Sequence, residues 1–137
     1  MRAVDRIAQF MRDNQMCLFT FPGGTLAHLY NACHKAGVEI VVARSELGCG
    51  YMAIGAAKAT GKPQVCAVTS GPGATNVLTC IADAYYDSVP VVFLTGQVAS
   101  KYLVGRPNIR QRGFQETPIR EMAKPITLAN YGEPRMF

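Results

Sequence analysis

VCAVTSGPGATNVLTCIADAYYDSVPVVFLTG, residues 65 to 96, holds two short apolar runs separated by a glycine-rich turn and a helical pattern. Val65 to Thr69 (VCAVT) and Val89 to Leu94 (VPVVFL) are rich in β-branched residues and short, so each reads as a strand. Between them SGPGATN turns into a helix ending near Tyr86. Strands joined through a helix run parallel, and strands this apolar need cover on both faces. The unit predicts an α/β sheet before any other residue is read.

The same alternation recurs upstream. A helix over residues 3 to 14, with Val4, Ile7, Ala8 and Met11 on one face, leads into a strand at Cys17 to Phe21 (CLFTF). Pro22-Gly23-Gly24 then turns into a helix from Thr25 to about Ala36, and Val38 to Arg44 is a further strand. The helix that follows, Glu46 to Thr60, is crowded with Gly48, Gly50, Ala53, Gly55, Ala56, Ala57 and Ala59. Glycine costs about 1 kcal/mol relative to alanine inside a helix. Their number predicts a buried helix that another backbone approaches closely. The expected fold is a three-layer α/β/α domain around a parallel sheet.

Three strand-to-helix turns therefore fall at one edge of that sheet: Phe21 to Gly24, Arg44 to Glu46, and Thr69 to Gly73. Open α/β sheets place ligands at the carboxyl ends of their strands. Glu46, at such an end, is either a first-turn helix charge or a working acid. The third turn matches neither G-x-G-x-x-G nor G-x-x-x-x-G-K-[ST], and no lysine follows it, so a nucleotide-phosphate loop is weakly supported against a plain turn.

Composition narrows the class. The 137 residues are 49% hydrophobic and 17% charged, enough apolar material for one globular core. The amino-terminal segment has neither a signal-peptide core nor a cleavage site, and no apolar run reaches membrane-spanning length, which predicts a cytoplasmic protein without a membrane partner. Cys17, Cys33, Cys49, Cys66 and Cys80 lack C-x-x-C pairing and histidines at ligand spacing, so they read as reduced, small hydrophobes rather than zinc or redox ligands. His28 and His34 read as helix-surface residues. Of the net charge of +5, most lies in the last quarter, where Lys101, Arg106, Arg110 and Arg112 read as an anion or partner site or as a solvated loop. No nucleic-acid module is visible. Residues 97 to 113 lack a period, as functional loops often do.

VTSGPGATNVLTCIADAYYDSVPVVFLTGQV, with FPGGTLAHLY, RSE and GFQE, resembles the pyrimidine-binding domain of thiamine-diphosphate enzymes, specifically the acetolactate synthase group, from about Val4 to Thr127. The resemblance implies the thiamine-diphosphate-binding fold and a transferase of branched-chain amino acid biosynthesis that decarboxylates pyruvate and ligates the product to a 2-oxo acid. In that group a glutamate at the position of Glu46 hydrogen-bonds N1′ of the cofactor's aminopyrimidine and favours its imino form, which takes the proton from C2 of the thiazolium. The resemblance places Pro22, Gly23, Thr69, Pro72 and Asn76 near the pyrimidine. Phe114 and Gln115 match a pair facing the substrate side, with Gln115 the second catalytic candidate. Simple 2-oxo-acid decarboxylases usually carry adjacent histidines near there; this chain does not, which favours ligation.

The sequence also departs from the group. The usual His-Glu-Gln context is Ser45-Glu46-Leu47 here. Diphosphate and Mg2+ are held in the family by a separate domain with a Gly-Asp-Gly motif, and no such motif occurs in residues 1–137. The family continues past a strand matching Met122 to Thr127 into a helix and a final strand that lies between that strand and the one matching Val89 to Leu94. The expectation is thus a single pyrimidine-binding domain, carboxyl-terminally incomplete, with two unpaired strand edges. It would be inactive without a diphosphate-binding domain or subunit, in a homo- or hetero-oligomer. The alternatives are a small subunit of a split 2-oxo-acid decarboxylase and a noncatalytic fragment acting through protein association.

Overall fold

A computed structural model of the chain describes residues 1–103 and 109–132. Its strands are Leu18–Thr20 (β1), Ile40–Val42 (β2), Gln64–Val68 (β3) and Val91–Thr95 (β4), and they form one parallel sheet in the order β2-β1-β3-β4. Leu18 stands opposite both Ile40 and Val65, so the ends of the central strands are level. The helices are Ala3–Asp13 (α1), Ala27–Ala36 (α2), Glu46–Thr60 (α3), Pro72–Thr75 (α4), Leu78–Tyr86 (α5) and Ile119–Ala123 (α6).

The strand period of two sorts the side chains into two cores. Leu18, Val65 and Ala67 point to one face, where Ala8 and Met11 of α1 and Leu29 and Cys33 of α2 cover them. Phe19, Cys66 and Val68 point to the other, against Cys49 and Ala53 of α3 and Ile81 of α5. Each large apolar side chain buried this way contributes about 1.5–3 kcal/mol. The three-layer α/β/α architecture with a parallel sheet is therefore present, as the sequence predicts. His28 and His34 are exposed on α2, and the five cysteines are free.

The small residues of α3 have the expected use at one position above all. A Cβ on Gly50 would stand 2.5 Å from the Cys80 Cβ of α5, so glycine lets the two helices close. Gly55 meets nothing within 4 Å and has no such role.

The helix expected to end near Tyr86 does so as α5, and the turn before it holds the short α4, with Asn76 and Val77 between the two. One expectation is corrected. The strand expected at Met122 to Thr127 is absent: α6 ends at Ala123 and residues Lys124–Ile126 form a 3-10 turn with Pro125 near its start. A strand exists only through its neighbours' hydrogen bonds, and among the described residues none pairs with this segment or with the outer side of β4. Proline also removes one donor. The segment instead stands off from β4 across a groove of about 1000 Å3, with Val91, Phe93, Ile119, Ile126, Leu128 and Tyr131 among its lining residues. No helix among the described residues is long and apolar enough to cross a membrane.

Candidate functional site

The carboxyl ends of all four strands pack against one another. After β1, the chain passes Pro22 and Gly23 into a 3-10 turn at Gly24–Leu26. A Cβ on Gly23 would sit 2.7 Å from the Thr69 hydroxyl, so the first turn lies directly on the third. The Thr25 and Thr69 hydroxyls are 2.9 Å apart, a hydrogen bond that ties the two turns together. At the end of β4, a Cβ on Gly96 would lie 2.8 Å from Thr25 Cβ and 3.1 Å from the Ser70 nitrogen.

The second turn carries the acid. Ser45 is extended at φ −161° and its hydroxyl accepts the Gly48 N–H at 3.1 Å, a helix cap worth about 1 kcal/mol. Capping is the local reason for a small hydroxyl residue before Glu46. Glu46 opens α3 half-buried, and its Oε2 accepts a hydrogen bond from Asn76 Nδ2 at 3.2 Å. A Cβ on Gly73 would come within 3.3 Å of Oε1, so the glycine leaves room beside that oxygen. Among the described residues Oε1 has no hydrogen-bond partner.

The third turn depends on Gly71. Its φ of +67° suits glycine, and a Cβ there would lie 2.6 Å from Gln115 Cβ and 2.8 Å from the Gln115 carbonyl oxygen. Pro72 then starts α4, the position where a missing N–H costs least. Gln115 itself has φ +60°, uncommon for a residue with a side chain.

Gly23 thus meets Thr69, Gly73 lies against both Thr69 and Glu46, Glu46 meets Asn76, and Gln115 meets Gly71, while chain continuity brings Pro22 and Pro72 alongside. Phe114 stands 84% exposed beside Gln115. Thr25, Gly71, Gly73 and Glu116 were not singled out from sequence. Only the glycines carried a visible signal, as members of the turns already marked. Of the basic residues, Lys101 lies over the Tyr102 ring at 4.8 Å, Arg110 and Arg112 are exposed, and Arg106 is outside the described residues. No group of three or more His, Cys, Asp or Glu side chains among the described residues has metal-site geometry.

Behind the edge the thiols are held protonated. Burial pushes Cys49 from the ordinary 9.0 to about 11, and Glu46 nearby adds slightly to the rise. Burial also pushes Cys80 up to about 11 and raises Cys66 further. These groups are packing, not nucleophiles.

The donor set suits a flat, nitrogen-bearing heterocycle. One carboxylate oxygen is held and the other open, with threonine and amide groups beside it and glycine backbone where side chains would intrude.

Comparison with known proteins points the same way. The family described as thiamine pyrophosphate enzyme, N-terminal TPP binding domain, matches residues 1–123. Acetolactate synthase isozyme 2 large subunit of Escherichia coli strain K12 is 50% identical over 102 residues, which are 74% of this chain and 18% of that protein. The acetolactate synthase large subunit of Lactococcus lactis is 46% identical over 115 residues, 83% of this chain and 19% of the relative. Acetolactate synthase 2, chloroplastic, of Nicotiana tabacum is 43% identical over 121 residues, covering 88% and 17%. The chain spans about a fifth of the length of these relatives. With the family match extending over most of its residues, the chain belongs to the thiamine pyrophosphate enzymes, as their N-terminal TPP-binding domain.

Proposed function

We propose that this chain supplies the pyrimidine-binding half of a thiamine-diphosphate site in an acetolactate synthase-like enzyme acting on pyruvate and a second 2-oxo acid. The observation that carries the reading is the Glu46 carboxylate, held through Oε2 by Asn76 and open at Oε1, at the edge where three turns converge. Identity of 43–50% to acetolactate synthases supports the choice of reaction.

When bound, thiamine diphosphate supplies a thiazolium carbon that adds to the substrate carbonyl and accepts the electrons released by decarboxylation. The chain's own groups prepare the other ring. Glu46 exchanges a proton at N1′ of the aminopyrimidine through Oε1, and Asn76 fixes which oxygen is offered. Gly73 leaves room beside Oε1, Gly23 lets the first turn close on Thr69, and Thr69, Pro22 and Pro72 border the ring. Gln115, with Phe114, orients the acceptor 2-oxo acid. Magnesium and the diphosphate are assigned to a second domain or subunit of the same family, so the site is complete only in an assembly.

The test is reconstitution with a diphosphate-binding half. Glu46→Gln keeps the shape but not the proton exchange, so hydrogen–deuterium exchange at cofactor C2 should slow by about 10² to 10⁴. Unchanged exchange reduces Glu46 to a helix-end charge. Acetohydroxy acids should dominate the products of the unmutated assembly, and Gln115→Ala should lower the ligated share more than pyruvate consumption. Acetaldehyde as the main product would instead support a split decarboxylase.

A further inference from the structure

Glu116 is a carboxylate only 7% exposed, and the backbone of its own loop uses it. Its Oε2 accepts the N–H of Arg112 at 2.9 Å and of Gly113 at 3.3 Å. Its backbone N–H donates to the Gly113 carbonyl at 3.1 Å, and Gln111 Nε2 donates to the same carbonyl at 2.9 Å. The turn so closed is pressed onto the segment leaving β4, since a Cβ on Gly113 would lie 2.8 Å from Val98 Cγ2. Between the tied ends stand two residues. Phe114 projects outward, and Gln115 is held in the left-handed region with its backbone against Gly71, the residue that leads into α4 and on to Asn76.

We propose that Glu116 is a positioning residue: its carboxylate clamps the Arg112–Glu116 turn and thereby sets Phe114 and Gln115 at the site edge. Charge-assisted bonds to backbone N–H groups are about twice as strong as neutral ones, and they oppose the strain stored at Gln115. What Phe114 and Gln115 then meet rests on the function proposed above; the clamp itself does not.

Amide exchange in this chain, read by NMR, tests the clamp without any cofactor. Glu116→Ala should speed exchange at Arg112 and Gly113 by about tenfold to a hundredfold, with Cys66 and Val68 of β3 unchanged. Glu116→Gln, which keeps an accepting oxygen, should restore most of the protection. Unchanged exchange at Arg112 and Gly113, or equal acceleration throughout β3, overturns the proposal. In the assembly with a diphosphate-binding half, Glu116→Ala should raise KM for pyruvate or lower the ligated share several-fold, while C2 exchange stays at its unmutated rate. A parallel fall in C2 exchange overturns the positioning role. If the unmutated assembly shows no C2 exchange, the thiamine reading fails, and amide exchange alone decides the clamp.

Discussion

Asn76 and Glu46 stand thirty positions apart and meet across the carboxyl edge of the sheet, the Asn76 amide donating to Glu46 Oε2 at 3.2 Å. Asn76 lies just past the end of α4, and Glu46 opens α3, so the pair joins the starts of the two helical segments that follow β2 and β3.

Asn76→Ala should leave the fold nearly untouched, because the residue is exposed and surface substitutions usually fall within about 0.5 kcal/mol. It frees the Glu46 carboxylate to rotate. In a reconstituted site the C2 exchange rate should fall by about tenfold, the worth of one hydrogen bond to a charged group. An unchanged rate means that Asn76 does not orient the acid.

Thiamine diphosphate with magnesium should bind the isolated chain weakly at best, since the residues assigned here grip only the aminopyrimidine. Titration calorimetry checks this. Tight, magnesium-dependent binding would place the diphosphate ligands within the chain and overturn their assignment to a second domain.

Gly50→Ala and Gly55→Ala, five residues apart on α3, should move stability in opposite directions. The first drives a methyl group into Cys80 and should cost about 1–3 kcal/mol. The second meets open space and should gain up to about 1 kcal/mol from helix propensity. Urea midpoints of the two variants decide it, and a loss at both positions would remove the packing argument for Gly50.

Stability should decline as pH rises above about 9. In the unfolded chain the cysteines ionise near their ordinary 9.0, whereas Cys49 and Cys80 in the fold hold their protons to about 11. Between those values the unfolded state releases protons that the folded state keeps, so each unit of pH favours unfolding. The contribution is complete below pH 9 and lost as pH rises through 11. Cys49→Ala with Cys80→Ala should flatten the alkaline limb of a pH–denaturation profile; an unchanged limb assigns it to other groups.

The fold was legible because apolar runs such as VEIVVA and VCAVT alternate with helical patterns, and parallel strands buried on both faces leave that trace. The segment Met122 to Thr127 misled for the converse reason. Its residues permit a strand, but strand formation depends on a neighbour supplied from elsewhere in the chain or from another chain. For the site, three turns at one edge could be read from spacing, while the resemblance placed Glu46 and Asn76 beside the same ring and only the structure shows the hydrogen bond between them. The roles of Thr25 and Glu116 left no trace, because a single hydroxyl or carboxylate in a loop has no period and takes its meaning from what folds against it.

β1 and β3 are hydrogen-bonded on both sides, whereas β2, which leads to Glu46, is three residues long and among the described residues pairs on one side only. The acid itself opens α3, which packs on β1 and β3 through Cys49 and Ala53 and closes on α5 where Gly50 meets Cys80. Gly50 stands one turn along α3 from Glu46, and Cys80 four residues beyond Asn76, so the same two helical segments that meet through the acid and the amide close on each other one turn further along.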